Sequence, residues 1–169
     1  MFGKEGIGIT HLKLEMGADI NSSSGTEPSV MRTEDEKADV TRGAAYQLAA
    51  DAKKINPDLT LDMLWWSEPK WVSDASDVYA ARYKWYKKTL DSAYETYVSA
   101  VQNERGVDPE WVKYLSSHLK SEKDTPYDYS KIKIVGGEEV CTWGFADRMY
   151  EDSELMNVVD VVGSHYTSE

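Results

Sequence analysis

Apolar residues along this chain follow two rhythms. Five short runs rich in Leu, Val and Ile, each bounded by polar or small residues, lie at His11 to Met16, Leu59 to Trp65, Val98 to Val101, Lys131 to Val135 and Val158 to Val162. They predict strands. Between them the spacing becomes helical. Thr41 to Ile55 places Ala45, Leu48, Ala49, Ala52 and Ile55 on one stripe, and Asn56-Pro57-Asp58 stops it just before the second run. Asp77 to Tyr97 predicts a second helix with Ala81, Trp85, Leu90, Ala93 and Tyr97 inward. A third opens at Asp108-Pro109-Glu110, where Asp caps and Pro occupies the first turn.

The alternation of strand and helix predicts an α/β fold of parallel units. Strand starts at 11, 59, 98, 131 and 158 are separated by 48, 39, 33 and 27 residues. These spacings are near the roughly 30 residues per unit of an eight-fold β/α barrel. The competing architecture is an open doubly wound sheet, which would carry a Gly-rich phosphate turn after its first strand. Here Gly3, Gly6 and Gly8 precede that strand. The prediction is therefore a partial (β/α)8 TIM barrel, since five units are too few to close eight strands.

Charge and composition remove several function classes. Lys plus Arg number 19 against 30 Asp plus Glu, for a net charge of −11, so the basic footprint of a nucleic-acid binder is missing. No run approaches the roughly 18 apolar residues of a membrane span. The start, Met-Phe-Gly-Lys-Glu-Gly, lacks the pattern of a signal peptide. A lone cysteine, Cys141, cannot form an internal disulfide, and its neighbours Thr142 and Trp143 predict a small buried hydrophobe. His11, His118 and His165 show no i,i+4 spacing, so no metal site is expected.

In parallel βα architectures reacting groups gather at the carboxyl ends of strands. Those ends carry Glu15 and Asp19, then Trp65-Trp66-Ser67-Glu68, Gln102-Asn103-Glu104-Arg105, Glu138-Glu139 and Ser164-His165-Tyr166. Carboxylates, amides and tryptophans suit sugar chemistry: carboxylates serve as acid, base and nucleophile, and indole faces stack on pyranose C–H surfaces. Asn103-Glu104 is the sharpest element, although an Asn-Glu dipeptide alone reads more simply as a solvated loop opening, and its place at a strand's carboxyl end is what favours chemistry. Of Trp65 and Trp66, strand alternation sends one inward, and Glu138 and Glu139 divide in the same way. Glu34-Asp35-Glu36 reads as a solvated charge run and His118 as a helix-surface residue.

The stretch His11-Leu-Lys-Leu-Glu-Met-Gly-Ala-Asp19, followed by Gly25-Thr26-Glu27-Pro28-Ser29, resembles the second strand and following loop of the galactosylceramidases, glycoside hydrolase family 59. Arg42-Gly43, Ala52 to Pro57 and Leu64-Trp65-Trp66-Ser67-Glu68-Pro69-Lys70-Trp71 are similar to the family's next helix, third strand and Trp-Ser-x-Pro-x-Trp segment. Asn103-Glu104-Arg105 resembles the end of its fourth strand, and Val158 to Tyr166 its sixth. Nearly the whole chain is covered.

The resemblance implies that residues 1–169 are an internal fragment of one glycosidase TIM-barrel domain, about strands two to six of eight. It also implies a retaining exo-β-galactosidase acting on galactosylceramide-like glycolipids or galactosides, without metal or cofactor, and lysosomal in animals. Glu104 would be the general acid/base, and Thr26, Trp66 and Asn103 would contact the sugar. The family's nucleophile lies on its seventh strand, beyond Glu169, so the fragment is expected to be inactive alone. Gln102 stands where the animal enzymes carry Trp, and the join from Tyr94 to Val101 is shorter than theirs. Two alternatives stay open: another retaining glycosidase of the same barrel clan, and a non-catalytic sugar-binding module. Oligomeric state is not readable from the sequence.

Overall fold

The structure is a computed structural model that describes residues 1–22, 25–96 and 108–167. It divides into two compact units, residues 1–100 and 101–169. Among the described residues each contains a parallel strand pair. The run predicted as a strand at Val98 to Val101 lies outside the described residues, as does Tyr97.

The first unit begins with β1 (His11–Glu15), a two-residue antiparallel ladder of β2 (Asn21–Ser22) and β3 (Gly25–Thr26), and helix α1 (Ala44–Ile55). Then follow β4 (Thr60–Leu64), the single turn α2 (Lys70–Ser73) and the long helix α3 (Val78–Thr96). β1 pairs with β4 in parallel, in register from His11 opposite Thr60 to Glu15 opposite Leu64. Parallel neighbours require a crossover, and α1 supplies it while packing on β1. Leu61, Asp62, Met63 and Leu64 are all buried in succession, as in a strand covered on both faces. Asp62 is the polar member of that run, and His11 Nε2 lies 2.8 Å from its Oδ2.

The faces of the helices follow the predicted pattern in α3 but not in α1. Ala81, Trp85, Leu90 and Ala93 are buried as their spacing implies, joined by Tyr86 and by Thr89, whose hydroxyl donates to Trp85 O at 2.8 Å. In α1, Ala49 and Ala52 are buried, yet Leu48 is 51% and Ile55 61% exposed while Tyr46 is buried. The burial of that large ring turns the helix away from the stripe that the aliphatic residues alone suggest. The helix also starts three residues late, because Asp39 accepts from the Thr41 amide and hydroxyl and holds that residue in a turn.

The second unit comprises α4 (Pro109–Ser121), a 3-10 turn at Tyr129–Lys131, β5 (Val135–Val140), α5 (Gly144–Glu151), α6 (Ser153–Val158) and β6 (Val161–His165). Asp108 caps α4 as predicted, accepting from Glu110 N and Trp111 N. Both strands lie later than their apolar runs suggest. Ile132 and Ile134 are buried before β5 begins, and Ile134 O instead accepts from Asp160 N and Val161 N. Val158 completes α6, whose start Asp152 caps through Glu154 N and Leu155 N. Phe145, Met149 and Leu155 form a core cluster, with Val158, Val159 and Val162 against them.

Candidate functional site

At the carboxyl end of the first strand pair the backbone continues the ladder, with Met16 N donating to Leu64 O at 2.7 Å. The segment around Pro28 then passes against Gly17, where a Cβ would lie 2.3 Å from Pro28 O and φ is +64°. Only glycine fits both conditions. Asp19 N donates to Glu27 O and Val30 N to Met16 O, fixing that segment beside the strand end. Asp19 is left-handed at φ 58° and is forked by Arg32 at 2.7 and 2.9 Å. The Arg32 hydrogen bond holds its carboxyl below the ordinary value.

Thr26 is exposed on β3, and its hydroxyl donates to the side-chain oxygen of its cross-strand partner Asn21. Glu27 points the other way. Gly43, the N-cap residue of α1, has no side chain to offer, and a Cβ there would fall 1.8 Å from Glu27 Oε1. The Glu27 carboxylate instead accepts from Ala45 N, capping the helix from outside it. Burial pushes its pKa up, and the Ala45 bond opposes that shift.

The two tryptophans follow the end of β4 and are both half-buried. Trp65 packs edge-on against buried Trp85 at 6.4 Å, and the Arg82 guanidinium lies 5.0 Å from its ring centroid. Arg82 is in turn paired with Glu68, both side chains nearly buried. This arrangement gives Trp65 a packing role. Trp66 is half-buried at the strand end, and Trp71 Nε1 donates to Met31 O at 3.0 Å. Glu36 is not part of a merely solvated run, since it accepts from Arg32 N at 2.6 Å and pairs with Arg42.

Glu104, the predicted acid/base, and its neighbour Asn103 lie outside the described residues, as do Gln102 and Arg105. The second unit brings together residues that the sequence placed at two separate strand ends. Glu138 Oε2 lies 2.7 Å from His165 Nε2, across the β5–β6 ladder. Glu138 is 8% exposed and left-handed at φ 62°, a conformation costing a side-chain-bearing residue about 1–3 kcal/mol. The ladder shifts register between Gly137 and Glu139, which turns the two carboxylates apart. Glu139 serves α5 instead, accepting from Phe145 N at 2.8 Å and pairing with Arg148.

Three glycines permit close approach around this ladder, and one of them makes room for the Glu138 carboxylate. A Cβ on Gly136 would lie 2.3 Å from the Phe145 ring, one on Gly137 2.5 Å from Gly163 O, and one on Gly163 1.8 Å from Glu138 Oε1. The available sequence signal was the Gly-Gly pair inside a strand, a mark of bulges and close approach. Cys141 corrects the expectation of a buried hydrophobe: it is exposed, at φ 57°, in the turn that ends β5. Among the described residues no group of three or more His, Cys, Asp or Glu side chains is arranged to hold a metal ion. Nor is any described helix long and apolar enough to cross a membrane.

The family model described as Glycosyl hydrolase family 59 matches residues 1–169. Galactocerebrosidase of Macaca mulatta is 31% identical over 171 residues, covering 95% of this chain and 24% of that protein. The Danio rerio galactocerebrosidase is 29% identical with the same coverage, and the putative galactocerebrosidase of Caenorhabditis elegans is 30% identical over 98% of this chain and 25% of its own length. The chain thus spans about a quarter of the length of the curated relatives it matches. Among solved structures, an endo-β1,6-glucanase superposes with a TM-score of 0.69 over 99% of this chain and 46% of its own. At 17% identity, that likeness is one of fold.

Proposed function

Since the chain belongs to glycosyl hydrolase family 59, we propose that it supplies the acid/base part of a retaining exo-β-galactosidase site, on strands two to six of an eight-stranded barrel. The observation that carries this reading is the family match along the whole chain. The positions of Trp66 at the end of β4 and of the Thr26 loop beside the end of β1 support it.

In this reading Glu104 protonates the glycosidic oxygen as the bond to the anomeric carbon breaks. A carboxylate on the seventh strand, outside these 169 residues, bonds to that carbon. Glu104 then takes a proton from the water that displaces the enzyme carboxylate. Asn103 hydrogen-bonds the hydroxyl next to the anomeric carbon, the Trp66 face receives the C–H surface of galactose, and Thr26 addresses ring hydroxyls. The substrates are galactosylceramide-like glycolipids or galactosides, and the 169 residues alone do not turn over. No metal or cofactor enters this chemistry.

The test is Glu104→Gln in the native gene product. Hydrolysis of an alkyl β-galactoside, whose leaving group needs the proton, should fall by about 10²–10⁴. The first step on a dinitrophenyl galactoside, which leaves without help, should be spared. Full rates on both would remove Glu104 from the acid role.

A further inference from the structure

We propose that Glu138 and His165 form a hydroxyl-reading element of the sugar site, with His165 contacting the ligand and Glu138 acting as the positioning residue behind it. The inference rests on the glycosidase reading above. It begins from location: both residues lie toward the carboxyl ends of parallel neighbours β5 and β6, the end at which such sheets hold their ligands.

The pair is built at several positions at once. Glu138 is held left-handed at a register shift, Gly137 adopts φ +94°, and Gly163 lacks the Cβ that the Glu138 carboxylate would strike. An ordinary ladder needs none of these. Together they bring a carboxylate that is only 8% exposed to 2.7 Å from an imidazole whose side chain keeps 26% of its surface in solvent. A carboxylate behind a histidine fixes the ring's orientation and tautomer. With Nε2–H donated to the carboxylate, the other nitrogen of the neutral ring is an acceptor, the role that reads a ligand hydroxyl as donor.

The surroundings suit a sugar. Cys141 N donates to His165 O at 2.8 Å and the Ser164 hydroxyl donates to Thr142 O, tying the turn that carries Trp143 to the end of β6. Trp143 is 52% and Tyr166 77% exposed, and the Tyr166 ring centre lies 5.9 Å from that of His165. An exposed aromatic ring beside the polar pair, that of Tyr166, matches the C–H surface and hydroxyl edge of a pyranose.

The test measures kcat, KM and melting temperature of the native gene product and its His165→Ala, Glu138→Ala, Glu138→Gln and doubly substituted variants. The substrates are 4-nitrophenyl β-galactoside and its monodeoxy derivatives. His165→Ala should raise KM about tenfold on the parent substrate. On the one derivative lacking the hydroxyl that His165 reads, wild type should show that same loss and the variant none beyond it. Glu138→Ala should match His165→Ala, the double variant should be no worse than either, and Glu138→Gln, which keeps an acceptor, should recover part of the loss. Equal losses on every derivative, or a lower melting temperature with unchanged kcat/KM, would leave the pair as a ladder clasp and overturn the proposal. If His165→Ala does not fold, His165→Gln is carried through the same substrates. If a wild-type product that carries the seventh-strand carboxylate cleaves no galactoside, the glycosidase reading fails separately, and the pair is judged by calorimetric titration with galactose. Weakening by His165→Ala sustains it, and unchanged binding overturns it.

Discussion

In β4 four consecutive residues are buried and the ladder to β1 runs five pairs without a shift, whereas β5 carries two adjacent glycines and its ladder to β6 changes register midway. The first unit buries large side chains such as Met63, Trp85 and Tyr86 completely or nearly so. The second depends on missing ones, since Phe145 approaches Gly136 and the Glu138 carboxylate occupies the space over Gly163. Removing atoms should therefore damage the first unit most, and adding them should damage the second. What the second unit gains is a carboxylate and an imidazole set against each other at a strand end.

The largest expected effect breaks the first half of that contrast. Trp85→Ala removes a fully buried ring that touches Trp65 and Tyr86, and should cost about 3–5 kcal/mol in urea unfolding followed by near-ultraviolet circular dichroism. A loss below about 1 kcal/mol would mean that the site collapses freely and that packing is not what holds this unit.

The second half is sharpened by two glycines, one crowded by a side chain and one with open space around it. Gly163→Ala sets a methyl where Glu138 Oε1 stands and should cost about 1–3 kcal/mol while displacing the carboxylate from His165. Gly8 is left-handed at φ +68°, but a Cβ there meets nothing within 4 Å, so Gly8→Ala should cost only about 1 kcal/mol of backbone strain. Equal costs, with the His165 ring resonances unmoved in Gly163→Ala, would show that Glu138 shifts aside easily.

The same contrast governs what was legible in the sequence. β1, β4 and α3 lie close to where apolar spacing puts them, because long-side-chain burial is what such spacing records. Asp108 and the Asn56-Pro57-Asp58 stop also read correctly, since caps and stops act locally. The strands of the second unit did not, because Val158 and Val159 are spent on the end of α6 and the helix core, while β5 is largely glycine and glutamate. The α1 face failed because one tyrosine outweighs two exposed aliphatics. At the candidate site, Glu138 and His165 were each visible at a strand end. Their contact was not, because it depends on a register shift and a left-handed glutamate, neither of which leaves a periodic trace.

The smallest expected effect separates two carboxylates of the first unit by pH. The Arg42 hydrogen bond, with help from the Arg32 amide, holds Glu36 down to about 2 from an ordinary 4.5. The folded state therefore binds this proton less tightly than the unfolded chain. The stability Glu36 contributes is complete above about 4.5 and disappears as pH falls toward 2. Because roughly a quarter of each side chain in the pair faces water, the contribution should be less than about 1 kcal/mol. Glu27 has the opposite sign: burial raises its value, so the folded state keeps the proton longer, and ionisation as pH rises past 4.5 works against folding. Urea midpoints measured from pH 6 down to pH 3 should fall less steeply in Glu36→Gln than in wild type, and more steeply in Glu27→Gln. Parallel slopes in all three proteins would show that neither proton is linked to folding of the unit in which large side chains dominate.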